Sequence, residues 1–233
     1  SDILTPGDFD GDGKTDLAVF RAADSTWYML TKGSFTYRQY GQPGDIPAAA
    51  DFDGDNRTDI AVFRPSTGTW YIAYSDSVPS FGQVQFGQDG DRPAVGDYDG
   101  DERADIAVWR PSTGMWYVLG TTAGFYGVEW GTATDVPAQG DYDGDGKTDP
   151  AVFRKSEGTW YVLRSNSEAL VRQFGQDGDV PVTGDYDGDG NYDISVFRPL
   201  DNTWYVRQQG GGYTAQTFGG PGDKPIPTAY LPQ

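Results

Sequence analysis

Fourteen residues recur five times along this 233-residue chain: DFDGDGKTDLAVFR at 8–21, DFDGDNRTDIAVFR at 51–64, DYDGDERADIAVWR at 97–110, DYDGDGKTDPAVFR at 141–154 and DYDGDGNYDISVFR at 185–198. Successive copies start 43, 46, 44 and 44 residues apart, so any fold for this chain must use one unit five times. In every copy a tryptophan follows the first aspartate by 19 residues, at Trp27, Trp70, Trp116, Trp160 and Trp204. An aromatic–glycine pair starting at Tyr40, Phe86, Trp130 or Phe174 precedes the next copy's first aspartate by 11 residues. Length varies only between the tryptophan and that pair, which marks the one variable loop of the unit.

Within each unit, runs such as DIAVFR and WYVL are β-branched and aromatic, and PSTG turns and Gly-Asp-x-Pro elements bound them. That pattern predicts strands. One strand like ALVRQFG before the aromatic–glycine pair and one like VPVTGD after it bring each unit to four. Helical periodicity is absent, and both faces of DIAVFR are largely apolar, as expected of sheets stacked face to face around an axis. A parallel β-helix needs far shorter rungs, and an immunoglobulin-like sandwich does not repeat one four-stranded unit. The expected fold is all-β: a β-propeller of five four-stranded blades with an acidic loop between the first two strands of each. The blades are expected at 1–43, 44–89, 90–133, 134–177 and 178–220 of one domain, with 221–233 closing the ring or capping an edge.

A net charge of −18 would suit a disordered chain, but 15% aromatic residues would not. Histidine and cysteine are absent, so disulfides, thiol catalysis, histidine-based triads and zinc or iron–sulfur ligation are excluded, and any metal must be held by oxygen. The negative field disfavours nucleic acid and anionic membranes as partners. No apolar stretch approaches the length of a membrane span, so no membrane insertion is expected. The first residues, SDILTPGDFD, lack the basic and hydrophobic regions of a signal peptide, and a secreted location must rest on the chemistry of the loops.

That chemistry is concentrated: 20 of the 31 aspartates lie in the five repeated loops, at positions 1, 3, 5 and 9 of each. Alternate oxygen donors on a glycine-rich turn are the spacing of a calcium loop. A helix–loop–helix calcium site needs a glutamate at position 12, where this chain has Val19, Val62, Val108, Val152 and Val196. Two carboxylates about 4 Å apart repel by roughly 4 kcal/mol at an effective dielectric near 20, so four facing inward call for a cation. The expected ligands, with the fourth of each set giving its main-chain carbonyl, fall into five sets. They are Asp8, Asp10, Asp12, Lys14 and Asp16; Asp51, Asp53, Asp55, Arg57 and Asp59; Asp97, Asp99, Asp101, Arg103 and Asp105; Asp141, Asp143, Asp145, Lys147 and Asp149; and Asp185, Asp187, Asp189, Asn191 and Asp193. About five Ca2+ ions are expected. Position 6 is glycine except at Asn56 and Glu102, and glutamate tolerates left-handed geometry poorly, so the third site is expected to be the weakest.

The loop DYDGDGKTD leading into AVF, together with FGQDGDVP, resembles the FG-GAP and VCBS repeats of integrin alpha-subunit propellers and of many secreted bacterial proteins. The resemblance covers all five units. It implies a calcium-stabilised propeller outside the cell, used for adhesion or ligand binding or as an appendage of a polysaccharide-active enzyme. Integrins have seven such units; this chain has five.

Five equivalent acid clusters are the wrong pattern for a catalytic carboxylate pair, and the acids outside the repeat register show no pairing, so no enzymatic role and no catalytic residues are expected. The repeated arginines Arg21, Arg64, Arg110, Arg154 and Arg198, six residues before the tryptophans, offer a Trp-Tyr-Arg grouping that could stack on a sugar. The competing reading packs the tryptophans between blades and pairs the arginines with Asp45, Asp91, Asp135, Asp179 and Asp223. The longest variable loop, 74–85, is the best unique contact. The functional expectation is a secreted, monomeric, lectin-like binding or adhesion module for a glycan or a cell-surface protein; the alternative is an accessory propeller of a larger secreted polysaccharide-active enzyme.

Overall fold

The computed structural model describes residues 2–75, 80–166, 168–208 and 211–226. Over these residues the repeated unit folds as expected into five four-stranded antiparallel sheets, with no helix among them, arranged as a five-bladed β-propeller. Blade 1 consists of β1 (Asp2–Leu4), β2 (Leu17–Arg21), β3 (Thr26–Thr31) and β4 (Ser34–Gln39), hydrogen-bonded in chain order. Blade 2 repeats the order at Ile46–Pro47, Ile60–Arg64, Thr69–Ala73 and Phe81–Gln85, and blade 3 at Arg92–Pro93, Ile106–Arg110, Met115–Gly120 and Gly124–Glu129. Blade 4 uses Val136–Pro137, Ala151–Arg154, Thr159–Leu163 and Ala169–Gln173, and blade 5 uses Val180–Pro181, Ile194–Arg198, Thr203–Arg207 and Thr214–Thr217. In blades 2 to 5 the first strand is only two residues long and ends on proline, which an edge strand accommodates because it loses no ladder bond. A single bridge beyond it, such as Ala50 with Asp59, holds each acidic loop closed at its base.

Alternation along the second strand sends its residues to two different neighbours. Phe63, with Trp70 beside it, faces the next blade and packs on Ile106 and Val108. Val62 points the other way, onto Phe20 and Trp27. The same joint is made by Trp109 and Trp116 on Val152, and by Phe153 and Trp160 on Ile194 and Val196. Each of Trp27, Trp70, Trp116 and Trp160 is 0% exposed and donates its indole N–H to the carbonyl of Tyr40, Phe86, Trp130 or Phe174 at 2.9–3.1 Å. This bond explains why the tryptophan and the aromatic–glycine pair recur together. The loops add a second seam: the N–H groups of Thr58, Ala104, Thr148 and Tyr192 donate to the carbonyls of Asp8, Asp51, Asp97 and Asp141 of the preceding loop at 2.5–2.7 Å.

The joint between blade 5 and blade 1 is different. Among the described residues Thr15 makes no such bond to Asp185. Leu17 is 61% exposed where its counterparts Ile60, Ile106 and Ile194 are 5–8% exposed. Trp204 is half-buried, and Phe218 is 74% exposed. A cavity of about 520 Å3 lies here, lined by Leu4, Phe197, Trp204, Phe218 and Ile226. Residues 222–226 of the expected closing segment border this gap, and 227–233 lie outside the described residues.

Replacing Trp116 with alanine is expected to cost about 3–5 kcal/mol in denaturant unfolding, and Trp204→Ala, at the less filled joint, less than half of that. Equal losses would show that the two joints are packed alike.

Candidate metal centres

Each acidic loop is built around its first aspartate. Asp51 accepts the N–H of Gly54 at 2.7 Å on one carboxylate oxygen and that of Asn56 at 2.8 Å on the other, and the other four loops repeat the pattern. Winding the chain around one carboxylate requires left-handed backbone at positions 4 and 6. Position 4 is always glycine, at φ of 73–81°; position 6 is Asn56 at 63° and Glu102 at 66°, with glycine elsewhere. A side chain at position 4 would also meet the next loop: a Cβ on Gly54 would lie 3.1 Å from the Arg103 side chain. The side chains at position 7, Arg57, Arg103, Lys147 and Asn191, therefore lie over the preceding loop.

The ninth residue closes the cage from below. Asp59 is 0% exposed; one carboxylate oxygen accepts the N–H of Phe52 at 2.9 Å and the other the N–H of Ser75 at 2.7 Å. Positions 1, 3 and 9 bring one carboxylate oxygen each within 4.8 Å of one another in four loops: Asp8, Asp10, Asp16; Asp51, Asp53, Asp59; Asp141, Asp143, Asp149; and Asp185, Asp187, Asp193. In the third loop the trio is Asp97, Asp99 and Asp101. Elsewhere the fifth-position carboxylate is turned to the loop itself, as where Asp55 accepts the N–H of Arg57 at 2.9 Å and the hydroxyl of Ser75 at 2.8 Å. Ser165 contacts Asp145 in the same way, and Thr121 contacts Asp101 although that carboxylate belongs to the third trio.

These residues fit a cation. One carboxylate oxygen each of Asp10, Asp99 and Asp143 is buried without a partner, a state that is costly for an ionised group. Desolvation is the largest influence on the ninth-position carboxyls and, with the neighbouring acids, outweighs their backbone hydrogen bonds. It pushes Asp59 and Asp149 up to about 7 and Asp105 and Asp193 up to about 6, and raises Asp16. Two loops carry local differences. Lys32 places its ammonium 3.1 Å from Asp10. Asp99 accepts the N–H groups of Thr122 and Ala123, both at 2.8 Å; these outweigh desolvation and hold its carboxyl below the usual range.

Sequence reading did not find the hairpin residues that reach these loops, although they carry a signal. Lys32, Ser75, Thr121 and Ser165 all lie five residues after the repeated tryptophan.

The proposed ligand-stacking residues are placed elsewhere. Four of the five tryptophans have no exposed surface, so their rings are used in the blade joints. Arg64, Arg110, Arg154 and Arg198 each hold Asp45, Asp91, Asp135 or Asp179 through two bonds of 2.7–3.0 Å, and they stack over Tyr71, Tyr117, Tyr161 and Tyr205 at 4.2–4.4 Å. The register begins one link earlier than expected: Arg21 takes Asp2, and Asp223 accepts the N–H of Gly220. Residues 76–79 of the longest variable loop lie outside the described residues.

The raised carboxyls set a pH dependence for the metal-free protein. A group whose folded-state pKa lies above its unfolded value of 3.8 stabilises the fold when protonated, and this contribution is lost as pH rises through the folded value. In chelator, the melting temperature should therefore fall between pH 5 and pH 8; a profile flat over that interval would reject the raised values. Glu102→Gly should raise urea stability by about 1 kcal/mol by relieving the left-handed backbone, and Asn56→Gly by less.

Residues 8–62 and 51–108 match the FG-GAP-like repeat family. No curated protein matches the sequence. Among solved structures, virginiamycin B lyase from Staphylococcus aureus is similar at 9% identity and a TM-score of 0.60, with 87% of this chain and 66% of the lyase covered. A streptogramin B lyase is similar at 12% identity and a TM-score of 0.60, with 88% and 66% covered. A lectin from Agrocybe aegerita that recognises non-reducing terminal N-acetylglucosamine is similar at 17% identity and a TM-score of 0.56, with 92% and 79% covered. The chain thus spans just under two thirds of the lyases' length. The expectation of no enzymatic role is corrected by these neighbours: enzymes share this fold, so repeated symmetry is no ground for excluding catalysis, and at this identity the likeness shows the fold alone. The described residues contain no helix long and apolar enough to cross a membrane. The chain is a β-propeller of five blades that carries FG-GAP-like repeats, matched over residues 8–108.

Proposed function

We propose that this propeller is a secreted, calcium-stabilised module that binds a glycan or a cell-surface protein outside the cell. The observation that carries the reading is a carboxylate trio in every blade, at positions 1, 3 and 9 in four loops and at 1, 3 and 5 in the third. A small all-oxygen cage built on a flexible loop favours calcium over magnesium, which demands near-ideal octahedral geometry and keeps its waters. Asp10, Asp53, Asp143 and Asp187 at position 3, with the first and ninth aspartates of their loops, and Asp99 with Asp97 and Asp101, would hold the ion. Bound there, it would supply charge neutralisation and cross-link the ends of each loop. Five divalent ions would offset more than half of the net charge of −18.

The extracellular setting follows from the same chemistry. At millimolar calcium, sites of about 10 µM affinity each add about 2.7 kcal/mol to folding by mass action, whereas the low calcium of a cell interior would leave the cages largely unfilled. Glycan recognition is supported by the fold shared with a lectin. Equivalent blades suit several weak sites acting together. The negative charge argues against a nucleic-acid partner.

Chelation should lower the melting temperature by more than ten degrees, and calcium rather than magnesium should restore it. A glycan array in calcium buffer tests the partner: repeated weak hits support a lectin, and silence with calcium bound would move the assignment to a protein surface.

A further inference from the structure

Most cations of this chain have assigned positions. The repeated arginines hold link aspartates, Arg57, Arg103 and Lys147 lie over preceding loops, Lys32 reaches Asp10, Arg38 stacks over Tyr40 and Phe81, and Arg92 stacks over Trp109. Three arginines stand apart. Arg164, Arg172 and Arg207 line one cleft of about 110 Å3 between blades 4 and 5, together with Tyr142, Tyr192 and Gln208.

The three come from different segments of blades 4 and 5, and Arg164 and Arg207 have no basic counterpart in the sister blades. Arg207 pairs in register with Ile194 at the end of the third strand of blade 5, where blades 1, 2 and 3 have Leu30, Ala73 and Leu119. Arg172 stands opposite Trp160, where blades 2 and 3 have Val84 and Val128 and blade 1 has Arg38, which stacks over Tyr40 and Phe81. Arg164 follows the third strand of blade 4, and its Nε is buried without a hydrogen-bond partner. The acids nearby are few. Glu168, with its side chain 74% exposed, lies 4.0 Å from Arg164, and Asp143 feels the charge of Arg164 from the neighbouring loop. Among the described residues no carboxylate pairs with Arg172 or Arg207.

Three guanidinium groups drawn to one cleft repel one another unless an anion joins them, and guanidinium geometry is matched to planar or tetrahedral oxyanions through paired N–H donors. We propose that this cleft binds a small oxyanion, a carboxylate or sulfate carried on an acidic sugar. The volume is that of roughly three or four waters, enough for the charged group but not for a sugar ring. The ring would therefore lie at the mouth, where Arg172 is exposed. The acidic sugar as carrier rests on the glycan reading above; the oxyanion site does not.

Calorimetric titration of the calcium-loaded protein with sodium sulfate, a uronic-acid oligosaccharide and its neutral counterpart tests this. The acidic oligosaccharide should bind at least tenfold more tightly than the neutral one and weaken as sodium chloride is added. The double variant Arg172→Val, Arg207→Leu installs residue types already present at these positions in sister blades, so its melting curve should stay unchanged while the affinity falls tenfold or more. Saturable sulfate binding with no preference for the uronate would keep the oxyanion site and overturn the sugar as its carrier. Absence of saturable binding by any of the three, or equal affinity in the double variant, would overturn the site itself. A silent glycan array beside intact sulfate binding would sink only the glycan reading.

Discussion

A four-stranded blade has two apolar faces and no interior, so it becomes stable only when each face is covered by another blade. This constraint fixes the placement of nearly every large side chain. Alternation along the second strand sends Phe63 forward and Val62 backward, and the fully buried tryptophan fills the space between sheets while its indole N–H bonds to the start of the next link. The buried arginine–aspartate clamps belong to the same joints. Each link aspartate also accepts a backbone N–H from three residues earlier, so the clamp fixes the turn that delivers the chain to the next blade.

The acidic loops follow from the joints rather than the reverse. The bridge at the base of each loop and the bond between successive loops position the aspartates before any ion is considered. The first aspartate is consumed largely as a cap for backbone N–H groups, and the ninth is tied to both the loop and the adjacent hairpin. The third is left with buried, unpaired oxygens in loops 1, 3 and 4. A chain of this charge crowds carboxylates in all five loops, and the basic side chains at position 7 of loops 2, 3 and 4, lying over the preceding loop, offset part of that charge.

The five blades are legible in the sequence because the repeat leaves no alternative way to cover their faces, and the fixed tryptophan spacing reflects a hydrogen bond. The cages are legible only in part. Spacing alone marks positions 1, 3, 5 and 9 as equivalent, because alternate residues of a turn look alike on paper. The hairpin adds contacts that the spacing does not show: Ser75 bonds to both Asp55 and Asp59, and Thr121 to both Asp101 and Asp105. In the third loop, where Asp101 joins the trio, Thr122 and Ala123 also take up an oxygen of Asp99, a contact between residues more than twenty apart that no loop motif encodes. The arginine cleft is illegible for a similar reason: its three members lie on two strands and a loop of two blades and form no motif.

The one unequal joint bears on how the cages relate to each other. Four joints carry both a tryptophan core and a loop-to-loop bond, so an ion that stiffens one loop also steadies the carbonyl its successor's N–H requires. That coupling runs in one direction around the molecule, from Asp8 to Thr58, Asp51 to Ala104, Asp97 to Thr148 and Asp141 to Tyr192. At blade 5 the chain of bonds stops, Leu17 is exposed, and the half-buried Trp204 faces a cavity. The first and fifth cages therefore each have one neighbouring loop rather than two, and near-neighbour energetics assign them the least support from the rest of the propeller.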